Sequence, residues 1–198
     1  MIKYLSIFII IGGLTLLAIG GYQYHKTTKA QKENLEKAHK ILEKQMNKKM
    51  VPKNKQSKEI KVFDPQDGET VGILEIPKFN AELPIVEGTS EDDLEKGVGH
   101  YKGTAYPMQN DQIVLSGHRD TVFRRMGELK IGDTFKVRLP YGNFEYRIES
   151  TQIVDADDRT IIKTTAPNEE LIVTTCYPFT YVGDAPDRYI LTAKPVGH

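Results

Sequence analysis

The only cysteine of the 198-residue chain, Cys176, stands at the end of a short apolar run, residues 171–176. A thiol at the end of a strand is presented at the rim of a fold, and its thiolate is a strong nucleophile. A lone cysteine is also often a small buried hydrophobic residue. Cys176 therefore predicts either nucleophilic catalysis or an inert core position.

His118 and Arg188 stand at the ends of two further apolar runs. An imidazole can take the thiol proton, or pair with the thiolate, and then protonate a leaving amine. A guanidinium can stabilise a thiolate and offers two parallel donors to an oxyanion. The structural alternatives are a turn histidine bonded to the backbone and an arginine in a surface salt bridge. Taken together, the three side chains predict a cysteine-dependent acyl-transfer site.

The chain has four further histidines, three of which lie in the N-terminal 39 residues or at the last position. The fourth, His100, is the competitor of His118 and is expected to pack or to cap a loop. Asp120 is a weak candidate for orienting His118, so the sequence does not predict a protease-type triad.

The elements that must position these residues are mostly strands. Residues 90–99, SEDDLEKGVG, predict a helix with Ser90 as its N-cap, and residues 121–129 predict a short helical turn. Seven or eight short strands with few helices are typical of a barrel or a sandwich. The apolar or alternating runs that predict strands are 71–77, 81–88, 112–117, 134–139, 144–154, 171–176 and 188–196.

The N-terminus predicts a membrane anchor. Residues 4–24 carry no charge and would span about 31 Å as a helix, enough for the hydrocarbon core of a bilayer. Tyr4, Tyr22 and Tyr24 stand where interfacial aromatic residues occur. A cleavable signal peptide is the alternative, because residues 18–20 resemble a processing site. Either interpretation directs the chain to the membrane.

Charge divides the chain near residue 61. Residues 1–61 hold 13 Lys and Arg against 4 Asp and Glu, whereas residues 62–198 hold 14 against 23. An acidic folded domain argues against a nucleic-acid partner. The sequence predicts a tail over 1–3, a transmembrane anchor over 4–24, a basic helical stalk and linker over 25–61, and a catalytic β-domain over 62–198.

The stalk divides into two parts. Leu35, Ala38, Leu42 and Met46 recur at helical spacing and predict an amphipathic helix. The following residues, 47–61, lose this periodicity and contain a proline, so they predict a solvated linker.

Three motifs give the chain a resemblance to a known family. SGHRDT (116–121), TTCYPF (174–179) and DRYILTA (187–193) follow an N-terminal anchor in this order. They resemble the motifs of sortases, the cysteine transpeptidases of Gram-positive bacterial surfaces. The resemblance covers residues 68–196. It implies a mainly β fold, the eight-stranded sortase β-barrel with short helices, preceded by a single transmembrane helix.

The resemblance also implies roles for particular residues. It implies His118, Cys176 and Arg188 as the catalytic set, 58 and 12 residues apart as in the family. Thr175 and Tyr177, beside the cysteine, are implied as substrate contacts. The family signature Thr-Leu-x-Thr-Cys is only partly kept, because its first two positions are Ile and Val here.

The Cys-Tyr-Pro-Phe run resembles class D sortases, which accept Leu-Pro-x-Thr-Ala-like sorting signals. The implied partners are surface proteins that carry such an LPxTA-like or LPxTG-like signal and the amine of a peptidoglycan precursor similar to lipid II. The implied location is the cell membrane, with a single span and the catalytic domain outside the cell. Lysines follow the span and would favour a cytoplasmic domain, although long domains translocate regardless of such charges.

No cofactor is expected. The aspartates of residues 155–158 could bind calcium through oxygen ligands, but a solvated acidic loop is the favoured interpretation. One cysteine without clustered histidines argues against zinc. Two rival functions remain open: a membrane-tethered cysteine peptidase, and a β-barrel binding module in which Cys176 is buried and inert.

Overall fold

The computed structural model describes residues 2–49, 63–180 and 183–197. The predicted solvated linker begins too early, because residues 47–49 still belong to the first helix, and the rest of it lies outside the described residues. The predicted boundary near residue 61 and the side chain of Met46 also lie outside them. Two α-helices and eight strands are present in the described part of the chain. They are α1 (Ile2–Lys49), β1 (Thr70–Ile76), β2 (Ala81–Glu87), α2 (Glu91–Lys96), β3 (Val98–His100), β4 (Gln112–Ser116), β5 (Thr134–Leu139), β6 (Gly142–Asp155), β7 (Glu170–Tyr177) and β8 (Asp187–Pro195).

The eight strands form one closed barrel in the order β1-β2-β3-β4-β7-β8-β6-β5. The β2–β3 and β4–β7 pairs are parallel, and the other pairs are antiparallel. Closure gives every strand a partner on each side over at least part of its length. The predicted β-barrel is therefore confirmed.

Strands β4 and β7 have apolar residues on both faces, which is why they read as continuous apolar runs. On the inner face, Leu115 and Val173 belong to the main core. On the outer face, Val114, Ile172 and Ile190 form a separate buried cluster. The outer cluster is covered by Tyr101, Val154 and Ile161. Burial on both faces makes this part of the barrel a rigid support for whatever stands at the strand ends.

The predicted helix over residues 90–99 is confirmed at its start and wrong at its end. Ser90 caps α2 through a capping box with Asp93. The helix ends at Lys96, and the next residues form β3, which pairs with β2. Gly99 makes this pairing possible, because a Cβ there would lie 2.4 Å from the carbonyl oxygen of Gly88. The sequence analysis missed β3 because the strand is only three residues long.

The predicted turn over residues 121–129 appears as a short 3₁₀ helix at Met126–Glu128, and a second one spans Pro77–Phe79. Both connect strands at the barrel rim. Phe123 and Met126 of the first turn are fully buried in the main core. The loop that follows β4 is therefore fixed to the barrel.

Helix α1 is continuous from the apolar N-terminal stretch into the basic segment. It is long and apolar enough to cross a membrane, and its most apolar window, with a mean hydropathy of 2.1, is wholly exposed. The predicted stripe of the stalk packs on the barrel, because Ala38 and Leu42 are buried against Ile73 of β1. A buried hydrogen bond of 2.8 Å joins Thr70 to Asn34. The basic segment is thus part of the folded body as far as Leu42.

Candidate active site

Three neighbouring strand ends carry the predicted catalytic residues. Strand β7 lies between β4 and β8. Cys176 of β7 is directly opposite Arg188 of β8. Ser116 of β4 is opposite Thr174 of β7, and His118 and Cys176 each stand two residues further along. Neighbouring strands lie about 4.8 Å apart. Residues distant in the sequence are therefore adjacent on the barrel.

The alternation of side chains puts Cys176 and Arg188 on one face of the sheet. Successive side chains of a strand point to opposite faces of the sheet. Ile172 and Ile190 lie on the outer face, and Cys176 and Arg188 stand at even spacing from them in the same strands. His118 lies two residues beyond the end of β4, whose Val114 belongs to the same outer cluster. Cys176 is half-buried, so its thiol is not sealed in the barrel core.

The loop that carries His118 is tied to β7. The hydroxyl of Thr175 is buried and donates to the carbonyl oxygen of Gly117 at 2.7 Å. The Gly117 N–H donates to the Thr174 carbonyl at 3.2 Å. A Cβ at Gly117 would lie 2.7 Å from the ring of Phe123. Glycine is therefore needed where the chain leaves β4, and the position of His118 depends on these contacts.

His118 has no carboxylate partner among the described residues. The two histidine–carboxylate contacts in that part of the chain belong to His39 and His100. Asp120, the weak candidate for orienting His118, is exposed and accepts two hydrogen bonds from Arg124 through its backbone carbonyl. The half-buried imidazole of His118 is thus free for contacts with a bound substrate.

Arg188 is half-buried and is held by backbone groups. Its guanidinium donates to the carbonyl oxygens of Ala185 at 3.2 Å and Asp187 at 3.0 Å. No ion pair joins it to Asp184 or Asp187, so the predicted salt-bridge alternative does not apply to these aspartates. A guanidinium held by neutral carbonyls keeps its positive charge available to a thiolate or an oxyanion.

An aromatic cluster, which the sequence analysis did not single out, lies next to Cys176. The rings of Tyr177 and Phe179 lie 5.6 Å apart, and those of Phe179 and Tyr189 lie 5.4 Å apart. Phe179 also packs on Gly127, where a Cβ would approach its ring to 2.7 Å. The signal in the sequence was the aromatic content of the same motifs, CYPF and DRY, that carry the cysteine and the arginine.

His100, the competing histidine, is 1% exposed and fully engaged. Its Nδ1 lies 2.8 Å from Oε2 of Glu87, and its Nε2 lies 2.9 Å from the carbonyl oxygen of Ala105. Its ring stacks on Tyr106 with 3.9 Å between centroids. Burial, together with the hydrogen bond that the hydroxyl donates to Glu87, raises the pKa of Tyr106. The prediction that His100 packs within the fold is confirmed.

The aspartates of the acidic segment make hydrogen bonds within their own loop. No group of three or more His, Cys, Asp or Glu side chains in the described part of the chain is suitably placed to hold a metal ion. The carboxylates of Asp155 and Asp158 instead accept hydrogen bonds from the loop backbone at Asp157 and Thr160. These contacts agree with the favoured interpretation, an acidic loop that faces solvent.

Known proteins resemble this chain in sequence and in fold. The family model described as the sortase domain matches residues 74–196. Sortase D of Bacillus subtilis is 53% identical over 99% of this chain and 100% of its own length. The catalytic domain of B. anthracis SrtD is 42% identical, with a TM-score of 0.56, covering 73% of this chain and 95% of that one.

A Clostridium perfringens Sortase D5 transpeptidase shares the fold, with a TM-score of 0.67 at 24% identity over 85% of this chain and 99% of its own. The family match and the 53% identity to sortase D support an enzyme and not a binding module without catalytic function. The eight-stranded barrel, the lone cysteine at a strand end and the sequence identity lead to one conclusion. The chain belongs to the sortase family of cysteine transpeptidases and is of the class D type.

Proposed function

We propose that this sortase is anchored in the membrane by α1, cleaves a Leu-Pro-x-Thr-Ala-like or Leu-Pro-x-Thr-Gly-like signal after the threonine, and joins the product to a cell-wall amine. The observation that carries the proposal is the strand register. Cys176 is opposite Arg188, and the β4–β7 pairing ends two residues before His118 and Cys176, which supports a position of His118 on the other side of the thiol. The mechanism uses only these protein groups and needs no cofactor.

In the first half-reaction, the thiolate of Cys176 attacks the carbonyl carbon of the threonine. Arg188 donates hydrogen bonds to the resulting oxyanion. The bond from carbon to the peptide nitrogen then breaks as the imidazolium of His118 gives its proton to the leaving amine. The products are a thioester on Cys176, a neutral imidazole and a free peptide with a new N-terminus.

In the second half-reaction, the amine of a peptidoglycan precursor similar to lipid II attacks the thioester. His118 accepts the proton that the amine loses, and the C–S bond breaks to return the thiolate of Cys176. The surface protein is then joined to the precursor through a new amide bond. Attack by water in place of the amine gives hydrolysis, the reaction of the rival cysteine peptidase.

The two further site residues take different parts in this proposal. Tyr177 is half-buried beside Phe179 and Tyr189, and we expect it to contact the bound peptide. Thr175 is 2% exposed and its hydroxyl is engaged with Gly117. This contact supports a positioning role, in which Thr175 acts on the substrate through the loop that carries His118.

A transfer assay tests the proposal. The full chain in detergent micelles is incubated with a peptide containing Leu-Pro-x-Thr-Ala and with an amine such as diaminopimelate. We expect cleavage after the threonine and a ligated product, and neither with Cys176→Ala at an unchanged Tm. Hydrolysis without ligation at saturating amine would favour the peptidase, and turnover by Cys176→Ala would remove the nucleophile.

We also propose that the catalytic domain lies outside the cell, because the cell-wall precursor is available there. The single cysteine makes this easy to measure. A membrane-impermeant maleimide added to intact cells is expected to label the protein at Cys176. Labelling that appears only after the cells are permeabilised would place the domain in the cytoplasm.

A further inference from the structure

A cleft of about 860 Å³ separates the membrane-proximal part of α1 from the rim of the barrel. Tyr24, Thr27 and Gln31 line it on the side of α1. Phe79 and His118 are among the residues that line it on the side of the barrel. Cys176 and Arg188 do not line the cleft, so it extends from the reacting groups on the side of His118 alone.

The helical wall of this cleft is fixed to the barrel. Lys26 and Glu95 form an ion pair of 2.8 Å close to the cleft. Further along the helix, the buried hydrogen bond between Thr70 and Asn34 and the packing of Ala38 hold α1 against β1. A helix joined to the barrel on this side of the cleft presents a preformed surface, which binds a peptide at a lower entropic cost than a mobile one.

The chemistry of His118 identifies what would occupy the cleft. In the mechanism above, His118 gives its proton to the amine that leaves, so the leaving peptide must begin beside its imidazole. The thiol that attacks the carbonyl lies on the other side of the scissile bond. The residues that follow the scissile bond therefore run away from Cys176 and into the space that His118 borders.

We propose that the cleft between α1 and the barrel binds the leaving segment of the sorting peptide. The inference rests on the proposed function and adds α1 to the substrate-binding surface. The wall of α1 is polar and uncharged at Thr27 and Gln31, as suits an extended peptide backbone. The Nε2 atom of Gln31 is buried without a hydrogen-bond partner, and a rotation of the amide would direct a donor to a peptide carbonyl.

The position of the cleft also indicates where the leaving segment goes. Gly20 and Tyr24, which line one end, belong to the uncharged stretch that is long enough to cross a bilayer. A peptide that passes along this wall arrives at the membrane surface beside α1. The cleft therefore fits a substrate whose C-terminal part is attached to the same membrane.

The test compares two peptides on the full chain in detergent micelles. Both contain the same Leu-Pro-x-Thr-Ala signal, but one ends at the alanine amide and the other continues for about six residues. We expect kcat/KM for acylation of Cys176 to be about tenfold higher with the long peptide. Contacts between the cleft and the residues after the scissile bond lower the free energy of the transition state. Thr27→Trp, which places an indole ring in the path of the peptide along α1, should bring the rate of the long peptide close to that of the short one.

Two variants serve as controls. Lys29→Trp adds the same bulk on the solvent side of the helix, where the lysine side chain is 68% exposed, and should behave like the wild type. Gln31→Ala, a smaller change, should lower the rate of the long peptide and leave that of the short peptide unchanged. This second variant keeps the test valid if Thr27→Trp lowers the Tm.

The outcomes separate the two proposals. Equal rates of wild-type acylation by the two peptides would overturn the role of the cleft and leave the proposed function intact. The same would follow if Thr27→Trp and Gln31→Ala slowed both peptides to the same extent. Failure of both peptides to acylate Cys176 would overturn the proposed function, and the inference with it.

Discussion

Two histidines of this barrel, His118 and His100, lie at or just beyond strand ends, yet their surroundings are opposite. His100 is almost completely buried, lies between Glu87 and Ala105 and stacks on Tyr106. His118 is half-buried, and no described carboxylate binds it. A ring whose two nitrogens are both engaged stabilises the fold, whereas a ring with free nitrogens can exchange a proton with a substrate. The hydrogen-bond partners of each imidazole, more than the residue type, distinguish the structural histidine from the candidate catalytic one.

The largest expected effect comes from replacing each histidine in turn. His118→Ala should lower transpeptidation on the order of 10³-fold, because the leaving amine then has no proton donor, while the Tm stays unchanged. His100→Phe keeps the ring stack but loses both hydrogen bonds. It should retain activity at low temperature and lose about 2 kcal/mol of stability.

Steady-state rates and thermal unfolding of the two variants measure this contrast. The comparison fails if His100→Phe is folded but inactive. It fails equally if His118→Ala keeps most of its activity.

Two arginines extend the comparison. Arg188→Lys should lower kcat/KM about 100-fold, because one ammonium cannot replace two parallel guanidinium donors at the oxyanion. Arg138 binds Glu75 and Glu82 on strands β1 and β2, far from this row of strand ends. Arg138→Lys keeps an ion pair and should leave kcat/KM unchanged. Equal losses in the two variants would mean that Arg188 serves only the fold.

Substitutions of Thr175 test how far activity depends on the hydrogen bond that holds the loop carrying His118. Thr175→Val keeps the shape of the side chain but removes the hydrogen bond to Gly117. We expect kcat to fall about tenfold with KM nearly unchanged, because His118 is then less well positioned. Thr175→Ser keeps the hydroxyl and should restore most of the rate. A raised KM with an unchanged kcat would instead support direct contact between Thr175 and the peptide.

The smallest expected effect concerns the pH dependence of stability and the buried side chains of His100, Glu87 and Tyr106. The pKa of Tyr106 is raised by burial and by its hydrogen bond to Glu87, so its hydroxyl keeps the proton when the unfolded chain loses it near pH 10. The stabilisation is complete below that pH and decreases as the pH rises above it. Tyr106→Phe should therefore flatten the alkaline fall in Tm, without change in activity. An unchanged alkaline slope would show that other tyrosines control it.

Sequence alone located the candidate residues at the strand ends because apolar runs end where strands end. The ends of β4 and β7 locate His118 and Cys176, and the start of β8 locates Arg188. The apolar runs do not predict which strands are neighbours, so the sequence does not show that Cys176 is opposite Arg188. Those neighbours depend on barrel closure, which is a property of all eight strands together.

The contacts between α1 and the barrel could not be predicted from the sequence either. Its apolar stripe predicted a helix, but a stripe does not identify the surface it covers. The partners of Asn34 and Ala38 are Thr70 and Ile73, more than 30 residues further along the chain. A basic segment that reads as a spacer is therefore docked on the barrel in the structure.

The central claim is that the thiol of Cys176 carries the acyl group between the two substrates. The full chain, mixed with a sorting-signal peptide in the absence of an amine and quenched in acid, can be digested and mapped by mass spectrometry. The account predicts one adduct, the peptide through its threonine, as a thioester on Cys176 that hydroxylamine removes. Cleavage of the peptide with no adduct on Cys176 at any time point would contradict it.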